Sequence, residues 1–146
     1  NHLYYYGEVL SESIIGDERT ETILPVKKAE DEGLTYSIHA DQPMFESDPL
    51  ALIHTTVNRK TRGGKSIGAY NKVSVESALK AVTINAAWQI KMEDKIGSLK
   101  VGKYADFVIL AESPFEVSID KIKDIQVLET IVNGNTIYRL KDEGIR

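Results

Sequence analysis

The spacing of apolar positions changes character several times along this chain, and each change marks an element. Leu24, Val26 and Ala29 fall between charged residues, with Pro25 suited to a first helical turn and Gly33 to a C-terminal cap, which predicts a short helix. The following "LTYSIHAD" alternates. Leu34, Tyr36, Ile38 and Ala40 share one side, and Thr35, Ser37, His39 and Asp41 share the other, which is the period of a strand. "SDPLALIHTTVNR" reads as a helix capped by Ser47 or Asp48, with Pro49 at its first position. "KTRGGKSIGAYNK" has no period and is glycine-rich and basic, so it predicts an exposed loop. In "SVESALKAVTINAAWQI", Val75, Ala78, Leu79, Val82, Ala86 and Ala87 form one helical stripe behind a Ser74 cap, with Trp88 expected in the core.

Beyond that helix the period switches. Gly97 and Gly102 mark turns, Phe107 to Leu110 is a near-continuous apolar strand, and Asp106 is expected to serve the turn that enters it. "VLETIVNGNTIYRL" is two alternating runs joined by Asn133-Gly134, the signature of a two-residue type I′ hairpin. The expected division is an α/β part over residues 1–95 and a mainly β part over 96–146.

Composition narrows the function classes. The chain has 146 residues, 42% hydrophobic and 27% charged, in the range of a soluble globular protein. A net charge of -4, without a basic stripe, argues against a nucleic-acid partner. No apolar run approaches the roughly 20 residues that cross a bilayer, so no membrane partner is expected. The absence of cysteine excludes disulfides, thiolate ligands and a cysteine nucleophile, and fits a cytoplasmic protein. The opening "NHLYYYGEVL", aromatic and without an initiator Met, leads to the expectation of a C-terminal piece of a longer protein.

The candidate chemistry centres on "YSIHADQP". His39 and Asp41 share a strand face, and Asp41 has two readings: a turn cap before Gln42-Pro43, or a metal-binding and proton-transfer carboxylate. Spacing alone favours the turn. "NRKTRGG" offers Arg59 and Arg62, which either grip a substrate carboxylate or belong to a solvated loop. His54 is expected to be partly buried in its helix, and Tyr4, Tyr5 and Tyr6 to pack rather than form a stacking platform.

Several of these stretches together resemble the metal-dependent amidohydrolases, in the branch called amidohydrolase family 3. "LTYSIHADQP" is similar to the end of that family's eighth barrel strand. "SVESALKAVTINAAWQI" followed by "KIGSLKVGKYADFVIL" resembles its closing T-x-N-A-A helix, G-S-L-x-x-G-K-x-A-D turn and apolar strand. "VLETIVNGNTIY" resembles its last hairpin, and "NHLYYYG" the segment after its seventh strand.

The resemblance implies the C-terminal part of a β/α (TIM-like) barrel followed by part of a β-sandwich. It also implies a small-molecule, amide-type substrate whose C–N bond is cleaved by metal-activated water, the metal being divalent and usually zinc. It gives Asp41 the roles of metal ligand and general acid/base. His39 would then pack or hydrogen-bond beneath the metal, and His2 would lie on a loop facing substrate, unless it is simply a frayed end. The chain departs from the family in two respects. A barrel takes typically about 250 residues, and none of His2, His39 and His54 forms an H-x-H pair. The isolated chain is therefore expected to be inactive and metal-free, and to self-associate through unpaired edges. Two rivals stand beside the hydrolase: a non-enzymatic β-rich interaction module, and a regulatory homologue without metal ligands.

Overall fold

The structure, a computed structural model, describes residues 1–141; residues 142–146, part of the expected 96–146 unit, lie outside the described residues. Helix α1 (His2–Val9) continues into a π-helical turn at Leu10–Ile14. Two short helices follow, α2 (Asp17–Glu21) and α3 (Val26–Asp31). Gly33, at φ 70°, ends α3 as its cap, with the Leu34 N–H returning to Ala29 O at 2.9 Å.

Helix α4 (Pro49–Asn58) starts where its sequence signals predict. Asp48 Oδ1 accepts from Leu50 N at 2.9 Å and Ala51 N at 3.1 Å, filling two of the bonds that a helix start leaves open. The core forms on α4: Ile53 and Val57, one turn apart, pack with Val73, Ala78 and Ile122. Burying each such aliphatic side chain contributes about 1.5–3 kcal/mol. Ile122 comes from a 3₁₀ turn at Ile119–Asp124, and Asn58 Nδ2 donates to Ile119 O at 2.8 Å, so a late segment of the chain closes the helical core.

The stripe over residues 74–90 is not one helix. It breaks at Thr83 (φ -122°, ψ -97°) into α5 (Val75–Val82) and α6 (Ile84–Gln89). Thr83 Oγ1 turns back to Leu79 O at 2.7 Å, a local bond that competes with helix continuation. The kink carries Trp88 outward, where it is 52% exposed rather than in the core. Gly97 fits the close approach of the next turn: a Cβ there would sit 2.7 Å from Ala87 Cβ and 2.9 Å from Ile84 Cα.

Strands β1 (Phe107–Leu110), β2 (Val127–Val132) and β3 (Asn135–Arg139) form one antiparallel sheet in that order. Asn133 and Gly134 both take positive φ (49° and 77°), as a type I′ turn requires. Asp106 Oδ1 accepts from Asn133 N at 2.7 Å, tying the entry of β1 to the hairpin turn.

Two further expectations need correction. Residues 34–41 carry no ladder, because a strand needs a partner and the bonds to this backbone are isolated ones, such as Ile38 N to Ala81 O at 3.3 Å and Asn85 Nδ2 to Tyr36 O at 3.0 Å. The 60–72 loop is not uniformly exposed either: Thr61, Ile67 and Asn71 are buried. The architecture of the described residues is thus mixed helix with a small antiparallel sheet.

Candidate active site

Asp41 ends the 34–41 segment in the left-handed region, at φ 63°. For a residue with a Cβ that backbone costs roughly 1–2 kcal/mol, though aspartate tolerates it better than most. The turn closes through Met44 N to Asp41 O at 2.9 Å and brings buried Phe45 beneath the site. Asp41 Oδ2 lies 3.4 Å from His2 Nε2 at the start of α1, and the two side chains remain 42% and 45% exposed. The His2 and Phe45 rings meet in a T-shaped pair at 5.1 Å between centroids. Asn1 Nδ2 reaches Ala40 O at 3.4 Å on the same side. The result is an open carboxylate–imidazole pair, anchored by an aromatic ring and accessible to solvent.

A cavity of about 230 Å³ lies beside the pair, lined by His2, Ser37, His39, Thr55, Thr56 and Arg59 among others. His39 is exposed at its edge. Arg59, by contrast, is only 2% exposed, and its guanidinium donates to three main-chain oxygens: Ile67 O at 3.1 Å, Leu24 O at 3.0 Å and Ile23 O at 2.8 Å. Burial pushes its pKa below the ordinary arginine value. Arg62 is exposed on the neighbouring loop, where its N–H bonds Tyr4 O at 2.8 Å. The two arginines therefore do not converge: one braces the walls and the other faces water.

His2 and Asp41 supply a nitrogen and an oxygen donor of the kinds a divalent metal takes. A zinc centre uses three or four protein ligands, and among the described residues no group of three or more His, Cys, Asp or Glu could hold an ion. The pair fits as part of a ligand set, not as the whole of one.

Sequence reading missed the surroundings of His2. Tyr5 and Tyr6 join it on one face of α1 because i, i+3 and i+4 positions coincide on a helix, and Phe45 packs against all three. The signal was present in the spacing but is visible only once residues 2–9 are read as a helix.

The N-substituted formamide deformylase of Arthrobacter pascens is 28% identical over 133 residues, covering 91% of this chain and 24% of that protein. The imidazolonepropionase of Thermoplasma acidophilum is 24% identical, covering 99% of this chain and 36% of that protein. Among solved structures, an amidohydrolase from Thermotoga maritima MSB8 superposes with a TM-score of 0.62 at 20% identity, covering 93% of this chain and 30% of that one, which is a likeness of fold. The chain thus spans about a quarter to a third of the length of these relatives. The amidohydrolase family model matches residues 1–138, nearly the whole sequence, and the chain belongs to the amidohydrolase family.

Proposed function

We propose that this chain contributes the proton-handling carboxylate, Asp41, to an enzyme that hydrolyses the C–N bond of a small amide-type molecule. The observation that supports this most is the open Asp41–His2 pair at 3.4 Å, held at the end of residues 34–41 in a chain of this family. In this reading the chain is the last β/α portion of a barrel (1–95) and the later part of a β-sandwich (96–146). The rest of both would come from a longer protein, of which relatives of this chain are examples in length.

Asp41 accepts a proton at a carboxylate oxygen as water oxygen bonds the substrate carbonyl carbon. It then returns that proton to the nitrogen as the C–N bond breaks, so the carboxylate is regenerated. His2 holds the carboxylate on its Oδ2 side, and Phe45 keeps the imidazole facing it. His39 lines the cavity beside the pair, where in this reading it would support a metal from below, while Arg62 is exposed and outside that lining. Arg59 braces rather than binds, since its donors are given to carbonyls. A divalent metal, zinc in the simplest case, would bind Asp41 together with ligands from elsewhere in the protein and supply water of lowered pKa.

The test is turnover of simple amides and formamides by the protein carrying this chain, with Asp41→Asn alongside. Acid/base catalysis typically contributes about 10²–10⁴-fold, so kcat should fall by that order while KM changes little. Wild-type turnover that survives Asp41→Asn within twofold would remove Asp41 from the chemistry. No wild-type turnover would instead favour the regulatory homologue.

A further inference from the structure

The aromatic face of α1 lies next to the Asp41–His2 pair and has no role in the chemistry above. Tyr5 stacks on Phe45 at 4.9 Å with an interplanar angle of 11°, and Tyr6 tilts against it at 5.5 Å. His2 bridges the two features, lying 6.2 Å from the Tyr6 ring and in contact with Asp41. Phe45 is buried, yet Tyr5 and Tyr6 remain 47% and 41% exposed. Tyr4, between His2 and Tyr5 in sequence, meets Tyr5 edge-on at 5.0 Å and on its far side reaches His54 and Lys123. The exposed rings of Tyr5 and Tyr6 therefore form a ledge that begins at the Asp41–His2 pair and ends against Tyr4.

We infer that this ledge is the subsite for a flat, uncharged ring on the substrate, one bonded directly to the scissile amide. The inference rests on the proposed role of Asp41, which sets where the amide lies. Ring faces attract other rings in offset or edge-on geometry, and the lysine beside these aromatics, Lys123, sits over Tyr4. Phe45 supports the ledge from below, so its rings need not reorganise to receive a ligand. A flat substituent stacks there while the amide lies against Asp41; a methyl group in the same place contacts little of it.

The experiment is calorimetric binding of acetanilide and of N-methylacetamide to the protein carrying this chain, followed by turnover of the same two amides. Acetanilide should bind about tenfold more tightly, the scale of one aromatic contact with its buried area. Tyr6→Leu, which keeps apolar bulk but removes the ring, should reduce that ratio to near one, and Tyr6→Phe should preserve it. Asp41→Asn should leave the binding ratio intact while lowering turnover of both amides by about 10²–10⁴-fold. Equal binding of the two amides by the wild-type protein overturns the ledge whatever turnover shows. So does a ratio that survives Tyr6→Leu. A Tyr6-dependent ratio without Asp41-dependent turnover keeps the ledge and removes the reading of Asp41.

Discussion

Replacing Arg59 by methionine would show how far the walls of the candidate site depend on one buried cation. Arg59 follows α4 at φ 56° and spends its donors on Ile67, Leu24 and Ile23 carbonyls, joining three segments distant in sequence. Methionine keeps an unbranched apolar stem of similar reach but has no donor. Hydrogen bonds from a charged group contribute about 1.5–3 kcal/mol each, so three lost bonds represent roughly 4–9 kcal/mol. Against this, the cation no longer has to leave water, a cost of several kcal/mol in real interiors. That cost is real here, since burial is the main cause of its lowered pKa. The balance predicts a loss of about 2–4 kcal/mol. Lysine would not rescue it, because one ammonium on a flexible stem cannot serve three carbonyls in the directions of a guanidinium fork. Urea unfolding followed by circular dichroism, with midpoint and slope compared, reads the difference. A methionine variant within about 0.5 kcal/mol of wild type would mean that desolvation cancels the bonds. The segments would then be held by packing and by their other bonds, such as Gly68 N to Glu21 Oε2 at 2.7 Å and Ile67 N to Arg59 O at 2.9 Å.

Two other perturbations follow from the same structure. His54 is buried on α4, and burial, followed by the charge of Lys123, pushes its pKa below 6.5. The folded state keeps it neutral while the unfolded chain protonates near 6.5, so stability is flat above that pH and falls as the pH drops below it. Unfolding free energies across that range should show the slope, and His54→Phe should flatten it; an unchanged slope would assign the acid sensitivity to other groups. Gly97→Ala forces a methyl to 2.7 Å from Ala87 Cβ at φ 83°, whereas Gly33→Ala meets nothing within 4 Å at φ 70°. The first should cost about 2–4 kcal/mol and the second about 1, read as thermal midpoints. Equal shifts would show that backbone conformation alone decides both.

Elements whose signals are local were legible in the sequence. Asp48-Pro49 fixes the start of α4, Gly33 the end of α3, and Asn133-Gly134 the hairpin, because each acts through bonds within a few residues. Family membership was legible too, carried by the T-x-N-A-A and G-S-L-x-x-G-K-x-A-D stretches. What depended on distant partners was not. Alternation in 34–41 specifies two faces but cannot supply a neighbouring strand, and the stripe over 74–90 hides the turn at Thr83 because both short helices keep the same period. Arg59 looked like a loop residue because its neighbours are polar; its three acceptors lie 8 to 36 positions away. At the candidate site, the turn at Asp41 was readable before Gln42-Pro43, whereas the aromatic setting of His2 required the helix that places Tyr5 and Tyr6 beside it.

The bond from Asn58 to Ile119 sets a schedule for the chain during synthesis. Those residues are 61 positions apart, and Ile122, just beyond, fills the core formed on α4. At about 5–20 residues per second, a ribosome needs roughly 3–12 s between them. During that interval Val73 and Ala78 can reach the α4 core but the side that Ile122 closes stays open, and a holding chaperone has time to engage it. Slowing translation between Arg59 and Ile119 should therefore lower the yield of folded protein, and speeding it should raise the yield.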